Sequence, residues 1–175
     1  MKNKAMQQRL GNEINDFLRS RKSLQLATMT KEGRPYASYA PFAIGDECLY
    51  VLISDIAVHA LNLAANPKAS VLIIEDESEA EKLFARIRVN YHVEAEQQPV
   101  NSDDWVLGVN ALQERHGDIV ENLSQLYDFR LFKLSPKGGR YVKNFGRAFA
   151  LAQGSLSSEV LNHMTDGHTK REVVA

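Results

Sequence analysis

The chain has 175 residues, of which 44% are hydrophobic and 25% are charged, and these values are ordinary for one globular domain. Its formal net charge of −1 at pH 7 gives no electrostatic reason to expect nucleic acid or an anionic membrane as a partner. The apolar runs are far shorter than the ~20 residues that cross a bilayer, and the first residues include no apolar signal core. We therefore expect a cytoplasmic protein without membrane insertion.

Cysteine usage narrows the chemistry further. The single cysteine, Cys48, excludes an internal disulfide and a zinc site built from several thiolates. Cys48 begins an apolar, strand-like run, so we expect a small core residue rather than a nucleophile.

Helical spacing of apolar residues predicts four helical segments. Ile14, Phe17 and Leu18 recur at this spacing in the first of them. Proline cannot continue a helix, so Asn66-Pro67 ends the second. Ser102 is a typical cap for the fourth, whose Trp105 we expect to pack rather than to stack on a ligand. The segments are residues 5–21, 57–65, 75–83 and 105–116.

Alternating or continuous apolar runs predict about seven strands. We expect two of the turns between them to close hairpins, one between residues 36–44 and 48–54 and one through residues 135–139. Hairpin connections make the sheet antiparallel, and closure into a small barrel removes exposed strand edges. The predicted strands are residues 23–30, 36–44, 48–54, 71–74, 84–97, 129–134 and 140–150.

The predicted fold is therefore mainly β, in the α+β class, with short flanking helices. We expect an N-terminal helical cap over residues 1–22, a barrel domain over residues 23–154, and a C-terminal helix or tail over residues 155–175.

Five histidines are candidates for chemistry, because a neutral imidazole is the commonest protein ligand for a metal. His163 and His168 lie in the polar C-terminal segment, where a solvated side chain is the default interpretation. For His92, on a strand, we expect a structural or surface role, and for His116 a role at a helix C-terminus. His59, near a helix start, is a candidate for contact with a pocket.

Several motifs resemble one superfamily. The helix and strand over residues 57–71 look like those of the split-barrel pyridoxamine-phosphate oxidase superfamily, in which a helix ending in Asn-Pro precedes an apolar strand. The run 74–86 and the segments 38–42 and 124–129 resemble its haem-utilisation branch of the HugZ/HutZ type, as does the closing Gly167-His168. The similarity extends from about Leu24 to His168.

The resemblance implies a homodimeric antiparallel split β-barrel with two sites at the subunit interface. It also implies haem as the ligand and, in several members, oxidative cleavage of its ring to biliverdin, iron and carbon monoxide. Because the chain has no Gly-x-Gly-x-x-Gly dinucleotide motif, the electrons for such cleavage must come from an external donor. A non-enzymatic haem carrier or storage protein would use the same ligands.

The resemblance also assigns roles to residues. His168 matches the proximal iron ligand, with His163 as the competing candidate, and Asp128 matches the carboxylate that accepts a hydrogen bond from that imidazole. Such a bond fixes the tautomer and raises the basicity of the ligand. Arg86 and Arg88 alternate on a predicted strand, so both guanidinium groups are expected to meet haem propionates or, in a flavin site, phosphate. Arg88 is also the candidate for ordering water during catalysis.

FMN is the alternative cofactor, in an oxidoreductase of the pyridoxamine-phosphate oxidase type. Flavin members hold the phosphate with a Ser-Arg-Lys triplet, which falls here on Ala57-Val58-His59. An imidazole is mostly neutral at pH 7, so the substitution removes the permanent positive charges that phosphate recognition favours. Tyr91 stands where flavin members commonly have glycine. These departures favour haem over FMN.

Overall fold

The computed structural model describes residues 2–144 and 147–163, and side chains over residues 4–143 and 147–158. In that part of the chain, four α-helices and nine strands surround one main core. Their bounds are α1 (Lys2–Ser20), β1 (Ser23–Met29), β2 (Pro35–Pro41), β3 (Ala43–Ile44), β4 (Leu49–Ser54), α2 (Val58–Ala65), β5 (Lys68–Ile74), β6 (Arg88–Gln97), α3 (Asp103–His116), α4 (Ile119–Ser124), β7 (Phe129–Asn144), β8 (Arg147–Leu151) and β9 (Glu159–His163).

The strands form one curled antiparallel sheet in the order β2-β1-β5-β6-β7-β4-β3, with β8 paired to β7 and β9 paired to β8. This arrangement confirms the predicted fold, a mainly antiparallel split barrel with short flanking helices. The central position belongs to β7, which pairs with β6, β4 and β8. None of the helices in the described ranges has the length and hydropathy required to span a membrane.

The predicted hairpin through residues 135–139 is wrong, because β7 is one strand of 16 residues. Pro136 and Gly139 lie opposite Val93 and Tyr91 of β6, where the register shifts by an irregularity in the pairing. A Cβ atom on Gly139 would lie 2.6 Å from the Asn90 carbonyl oxygen, so glycine here allows two strands to approach closely. The proline and glycines mark a bulge in this strand, and not a turn.

The predicted hairpin between residues 36–44 and 48–54 is also only partly correct. Pro35–Pro41 pairs along its whole length with β1, and only Ala43–Ile44 pairs with β4. The fully buried Phe42 lies between these two pairings. Its burial at the point where the chain changes partners explains why one apolar run became two strands.

The acidic segment 75–83 is not the predicted helix. The carboxylate of Asp76 accepts a hydrogen bond of 2.9 Å from the Ser78 amide, and such local bonds compete with helix formation. At its far end the Ile87 carbonyl accepts from the Glu75 amide at 2.8 Å, so the segment returns as a loop. The next strand consequently begins at Arg88 and not at Phe84, with a short 3-10 turn at Leu83–Ala85 before it.

The other three predicted helices are present as α1, α2 and α3. Leu10, Ile14 and Leu18 of α1 are buried in the main core, so the predicted N-terminal cap is packed into the barrel. Ser102 caps α3 by accepting from the Trp105 amide at 3.2 Å. The short α4 was not predicted.

A second core cluster lies under α3. Trp105 and Cys48 are both buried there, which confirms that each is a packing residue. Burial raises the pKa of the Cys48 thiol and keeps it in the inert, protonated form.

Candidate functional site

Asp128 lies at a corner of the sheet, where β4 ends beside the start of β7. Its Oδ2 accepts a hydrogen bond of 2.8 Å from the Ser54 hydroxyl, and its carbonyl accepts one of 2.6 Å from the Asp55 amide. Arg130 pairs with the Asp55 carboxylate at 2.7 Å. The residues from Ser54 to Ile56 and from Tyr127 to Asp128 are called the Asp128 corner below. These bonds hold a half-buried carboxylate in one orientation.

The Asp128 corner exposes large apolar side chains. Ile56 is 85% exposed and Tyr127 is 90% exposed. Their neighbours in the chain, Asp55 and Asp128, are nevertheless held by hydrogen bonds. Exposed apolar side chains beside a fixed carboxylate make this corner a candidate binding surface. Ser54, Ile56 and Tyr127 carry no sequence signal for a site, since only burial and the pairing of β4 with β7 reveal their position beside Asp128.

His59 lies on the first turn of α2, and its Nδ1 is 3.0 Å from the Ser38 hydroxyl oxygen. The single proton of that hydroxyl is donated to the Leu26 carbonyl at 3.3 Å. The hydroxyl oxygen therefore accepts the hydrogen bond from Nδ1 of His59. Burial lowers the pKa of His59, and the imidazole is therefore neutral at pH 7. Its Nε2 then carries a lone pair and can accept a proton or a hydrogen bond.

The start of α2 supplies few groups for a phosphate. Ala57 is the N-cap residue and provides no side-chain hydrogen bond, and Val58 is a partly exposed hydrocarbon. A buried hydrogen bond of 2.9 Å from Asn62 to Thr28 fixes the helix against β1. With a neutral His59, this helix start offers no charged side chain in the position of the flavin triplet.

The spacing of Arg86 and Arg88 predicts that they share one face of one strand. The structure does not show this arrangement. Arg86 precedes β6, and its Nε and Nη2 donate to the Glu75 carbonyl, the former at 2.8 Å. It also pairs with Glu77 at 3.4 Å. Arg88 begins β6, and its Nη1 donates to the Arg86 carbonyl at 3.0 Å. Arg86 therefore stabilises the loop before β6 within its own chain.

Within one chain, Arg88 and Asp128 lie at opposite ends of β7. Ser54, beside Asp128, is paired with Phe129, whereas Arg88 is paired with Val142. At about 3.3 Å per residue, the intervening strand has a contour of roughly 40 Å. The structure thus does not bring these two predicted site residues together in a single protomer.

The other histidines have different surroundings. His92 is exposed on β6, in agreement with the predicted surface role. The Nε2 of His116 donates to the Phe42 carbonyl at 2.9 Å, so it joins the end of α3 to the barrel, while the Gly117 amide caps the helix itself.

The side chain of His163 and the whole of His168 lie outside the described residues. Within the described part, there is no cluster of three or more metal-ligating side chains.

A curled antiparallel sheet, with α2 fixed against β1, defines a protein of the split-barrel class. The family model for pyridoxamine 5'-phosphate oxidase matches residues 10–143. HutZ of Vibrio cholerae, a haem oxygenase, is 45% identical over 170 residues, which are 97% of this chain and 96% of HutZ. The chain therefore belongs to the pyridoxamine 5'-phosphate oxidase family, and within it to the HutZ-type haem utilisation proteins.

Solved structures agree with this placement. The crystal structure of Vibrio cholerae HutZ, there described as a haem storage protein, has a TM-score of 0.73 and 46% identity and covers 76% of this chain and 94% of its own. Campylobacter jejuni ChuZ has a TM-score of 0.80 and 29% identity, covering 91% of this chain and 65% of its own. The barrel is thus common to chains of different length.

Proposed function

We propose that this protein binds haem as its substrate and cleaves the ring oxidatively to biliverdin, with release of iron and carbon monoxide. The similarity to a haem oxygenase over nearly the whole chain supports the proposal. The structural observation that carries it is the Asp128 corner, where a fixed carboxylate lies beside the exposed Ile56 and Tyr127. A flat apolar macrocycle with a polar centre suits this combination, because apolar contact binds it and a few polar groups orient it.

In this proposal, His168 is the proximal ligand to iron and Asp128 accepts a hydrogen bond from its second nitrogen. The carboxylate is suited to this role because Ser54 occupies Oδ2, which leaves Oδ1 for the imidazole. Such a bond fixes the imidazole orientation and increases electron donation to iron. His59, neutral and half-buried, contacts the ligand from α2.

A second copy of the chain completes the site. Arg88 and Asp128 are separated along β7 within one chain, so a pocket that uses both draws on two subunits. The exposed Leu61 and Tyr39 support such a homodimer, because they add to the apolar surface near α2 and β2 that association would bury. Arg88 would then bind a propionate across the interface, whereas Arg86 stays bound to Glu75 and Glu77 of its own chain. We place this reaction in the cytoplasm, with electrons from an external donor.

The test of the ligand assignment is a titration of the protein with haemin, followed by its absorption spectrum. His168→Ala is expected to lower haem affinity by at least tenfold and to remove the imidazole-ligated spectrum. His163→Ala is the matched control, since it deletes an imidazole five residues away. Equal affinity and equal spectra for His168→Ala and the unchanged protein would contradict the proposal, and loss of binding only in His163→Ala would move the ligand to His163.

A haem carrier is the second candidate, because the HutZ crystal structure is described as that of a storage protein. The haem complex is to be treated with ascorbate and oxygen in the presence of catalase, which removes free hydrogen peroxide. Disappearance of the Soret band with formation of a bilin supports the enzyme. A Soret band that survives supports the carrier. A parallel titration with FMN is expected to give weak binding, since the start of α2 lacks a charged phosphate ligand.

A further inference from the structure

Two exposed apolar patches lie at opposite ends of β7. One consists of Ile56 and Tyr127 at the Asp128 corner. The other consists of Leu83 and Phe84, which are 63% and 93% exposed and lie in the 3-10 turn before β6; this pair is called the Phe84 turn below. Phe84, Tyr127 and Ile56 are the three most exposed large apolar side chains in the described part of the chain. Both patches therefore present apolar surface that association would remove from water.

The backbone of the Phe84 turn is anchored by hydrogen bonds. The Ala85 amide donates to the Lys82 carbonyl at 2.9 Å, and Ala85 is buried. The Glu75 amide donates to the Ile87 carbonyl at 2.8 Å, and the Glu75 carboxylate accepts from the Ile87 amide at 3.1 Å. The exposed ring of Phe84 is thus carried by a pre-formed turn, and little conformational entropy is lost when the turn binds a partner.

Ion pairs border both patches. Arg86 pairs with Glu77 at 3.4 Å, two residues after Phe84, and Arg130 pairs with Asp55 at 2.7 Å at the Asp128 corner. Burying a charge is costly when its partner is missing. Because these four charges are paired within their own chain, another apolar surface can cover either patch without leaving them unpaired.

Each patch also has one charge without an ionic partner. Neither Arg88 nor Asp128 forms an ion pair with any residue that the structure describes. Arg88 follows Phe84 by four residues, and Asp128 is the neighbour of Tyr127. The two unpaired charges are opposite in sign. Electrostatic complementarity therefore favours contact between one patch and the other over contact of either patch with its own copy.

The two patches are separated within one protomer, because the strand between them has a contour of roughly 40 Å. In a two-fold dimer, each contact that one chain makes with its partner is repeated in the opposite direction. A Phe84 turn that lies on the Asp128 corner of a second chain is consequently matched by a second, identical contact. One dimer then covers all four patches and leaves none for a third chain.

We propose that in a homodimer the Phe84 turn of each protomer packs against Ile56 and Tyr127 of the partner subunit. This inference rests on the proposed function, in which a second copy completes the haem site, and it names the apolar wall that the second copy contributes. Arg88 of one protomer and Asp128 of the partner subunit then border the same pocket. Aromatic side chains at the centre of an interface contribute much of its binding energy, so Phe84 is the main anchor of this contact.

Cross-linking of introduced cysteines tests the contact in the absence of haem. Phe84→Cys and Tyr127→Cys are combined in the full chain, and the purified protein is treated with a short bifunctional maleimide. The native Cys48 does not interfere, because it is 2% exposed and burial raises the pKa of its thiol, which keeps it unreactive. Both substitutions lie at exposed positions and are expected to leave the fold intact. We expect a covalent dimer on a denaturing gel.

Leu107→Cys combined with Tyr127→Cys is the matched control, because Leu107 is 61% exposed on α3 and belongs to neither patch. This control and the two single variants are expected to remain monomeric on the gel. Absence of a covalent dimer in the Phe84→Cys/Tyr127→Cys variant would overturn the proposal. So would equal cross-linking in the control, or a covalent dimer from either single variant, which would show that like patches meet.

A mixed dimer tests whether the haem sites use both patches. One chain carries Phe84→Ala and the other carries Tyr127→Ala, and two different affinity tags allow the mixed dimer to be isolated. If the contact joins two chains, one site has both patches unaltered and the other has both substitutions. We expect half of the sites to bind haemin as the unchanged protein does, and each homodimeric variant to bind severalfold more weakly at every site. Weakened binding at every site of the mixed dimer would overturn the inference.

Two results separate failure of this inference from failure of the proposed function. If His168→Ala lowers haem affinity but the Phe84→Cys/Tyr127→Cys variant gives no covalent dimer, the proposed ligand stands and the contact between the patches is excluded. If the covalent dimer forms but the unchanged protein does not bind haemin, the contact stands and the proposed function is contradicted.

Discussion

The two ends of β7 differ in how much of their apolar surface is buried. At the end near Tyr141 the ring is 1% exposed and packs between Phe17 and Phe149. Its hydroxyl donates to Glu13, which also accepts from Lys143 at 2.8 Å. At the other end, the Asp128 corner holds its polar groups equally well but leaves Ile56 and Tyr127 almost fully exposed.

The Tyr141 end therefore stabilises the fold, whereas the Asp128 end leaves apolar surface uncovered. Helix α1 covers the Tyr141 end, so its aromatic rings already bury their apolar surface and stabilise the folded chain. The Asp128 corner has no such cover within the described residues, although its backbone is held by hydrogen bonds. A pre-formed corner with exposed apolar groups is suited to binding because little entropy is lost when its partner arrives.

Substitutions at the two ends of β7 are expected to differ most in their effect on the free energy of unfolding. Tyr141→Ala creates a cavity and is expected to lower the free energy of unfolding by about 3–5 kcal/mol, measured by urea denaturation of the ligand-free protein. Tyr127→Ala, the same substitution at the exposed end, is expected to change it by less than about 0.5 kcal/mol and to weaken haem binding severalfold. Equal losses of stability in the two variants would remove the distinction between the ends.

The second prediction concerns the Asp128 corner. Asp128→Asn keeps an oxygen that accepts from Ser54 but weakens the hydrogen bond from the proximal imidazole. We expect haem turnover to fall by about 10–100-fold and the iron–imidazole stretching frequency to decrease, with little change in stability. Arg130→Gln, which breaks the neighbouring pair with Asp55, is the control. Unaltered turnover and stretching frequency in Asp128→Asn would exclude Asp128 as the partner of the ligand.

The smallest expected effect is a pH dependence that arises from His59. Burial lowers its folded-state pKa below the value of about 6.5 in the unfolded chain, so the unfolded chain binds the proton more readily. The contribution of neutral His59 to the free energy of unfolding is fully present above about pH 6.5. It is lost as the pH falls toward the folded-state pKa. Wild-type protein should therefore lose more stability than His59→Gln between pH 7.5 and pH 5.

That comparison is made by denaturation at both pH values. His92→Gln, which removes an exposed imidazole, is the control for histidine loss in general. If the wild type and His59→Gln respond identically to pH, His59 is not held neutral by its burial against Ser38.

Local patterns predicted much of the fold and less of the site. Ile14, Leu18 and Ser102 define helices through spacing and capping, which act within a few residues, and the structure confirms those helices. The turn signals at Pro136 and Gly139 failed because their consequence depends on β6, which accommodates them as a bulge. Tyr127 and Ile56 gave no sequence signal, since exposure depends on which elements fail to cover a residue.

Local patterns in the chain predicted an antiparallel barrel and the buried roles of Cys48 and Trp105, and the resemblance of its motifs indicated the family. These properties follow from hydrophobic periodicity and motifs, which are local in the chain. The hydrogen bonds from Arg86 to Glu75, and the positions of Asp128 and Arg88 at opposite ends of β7, became visible only in the folded chain. Such contacts join residues far apart in the sequence, and they depend on how the curled sheet brings distant strands together.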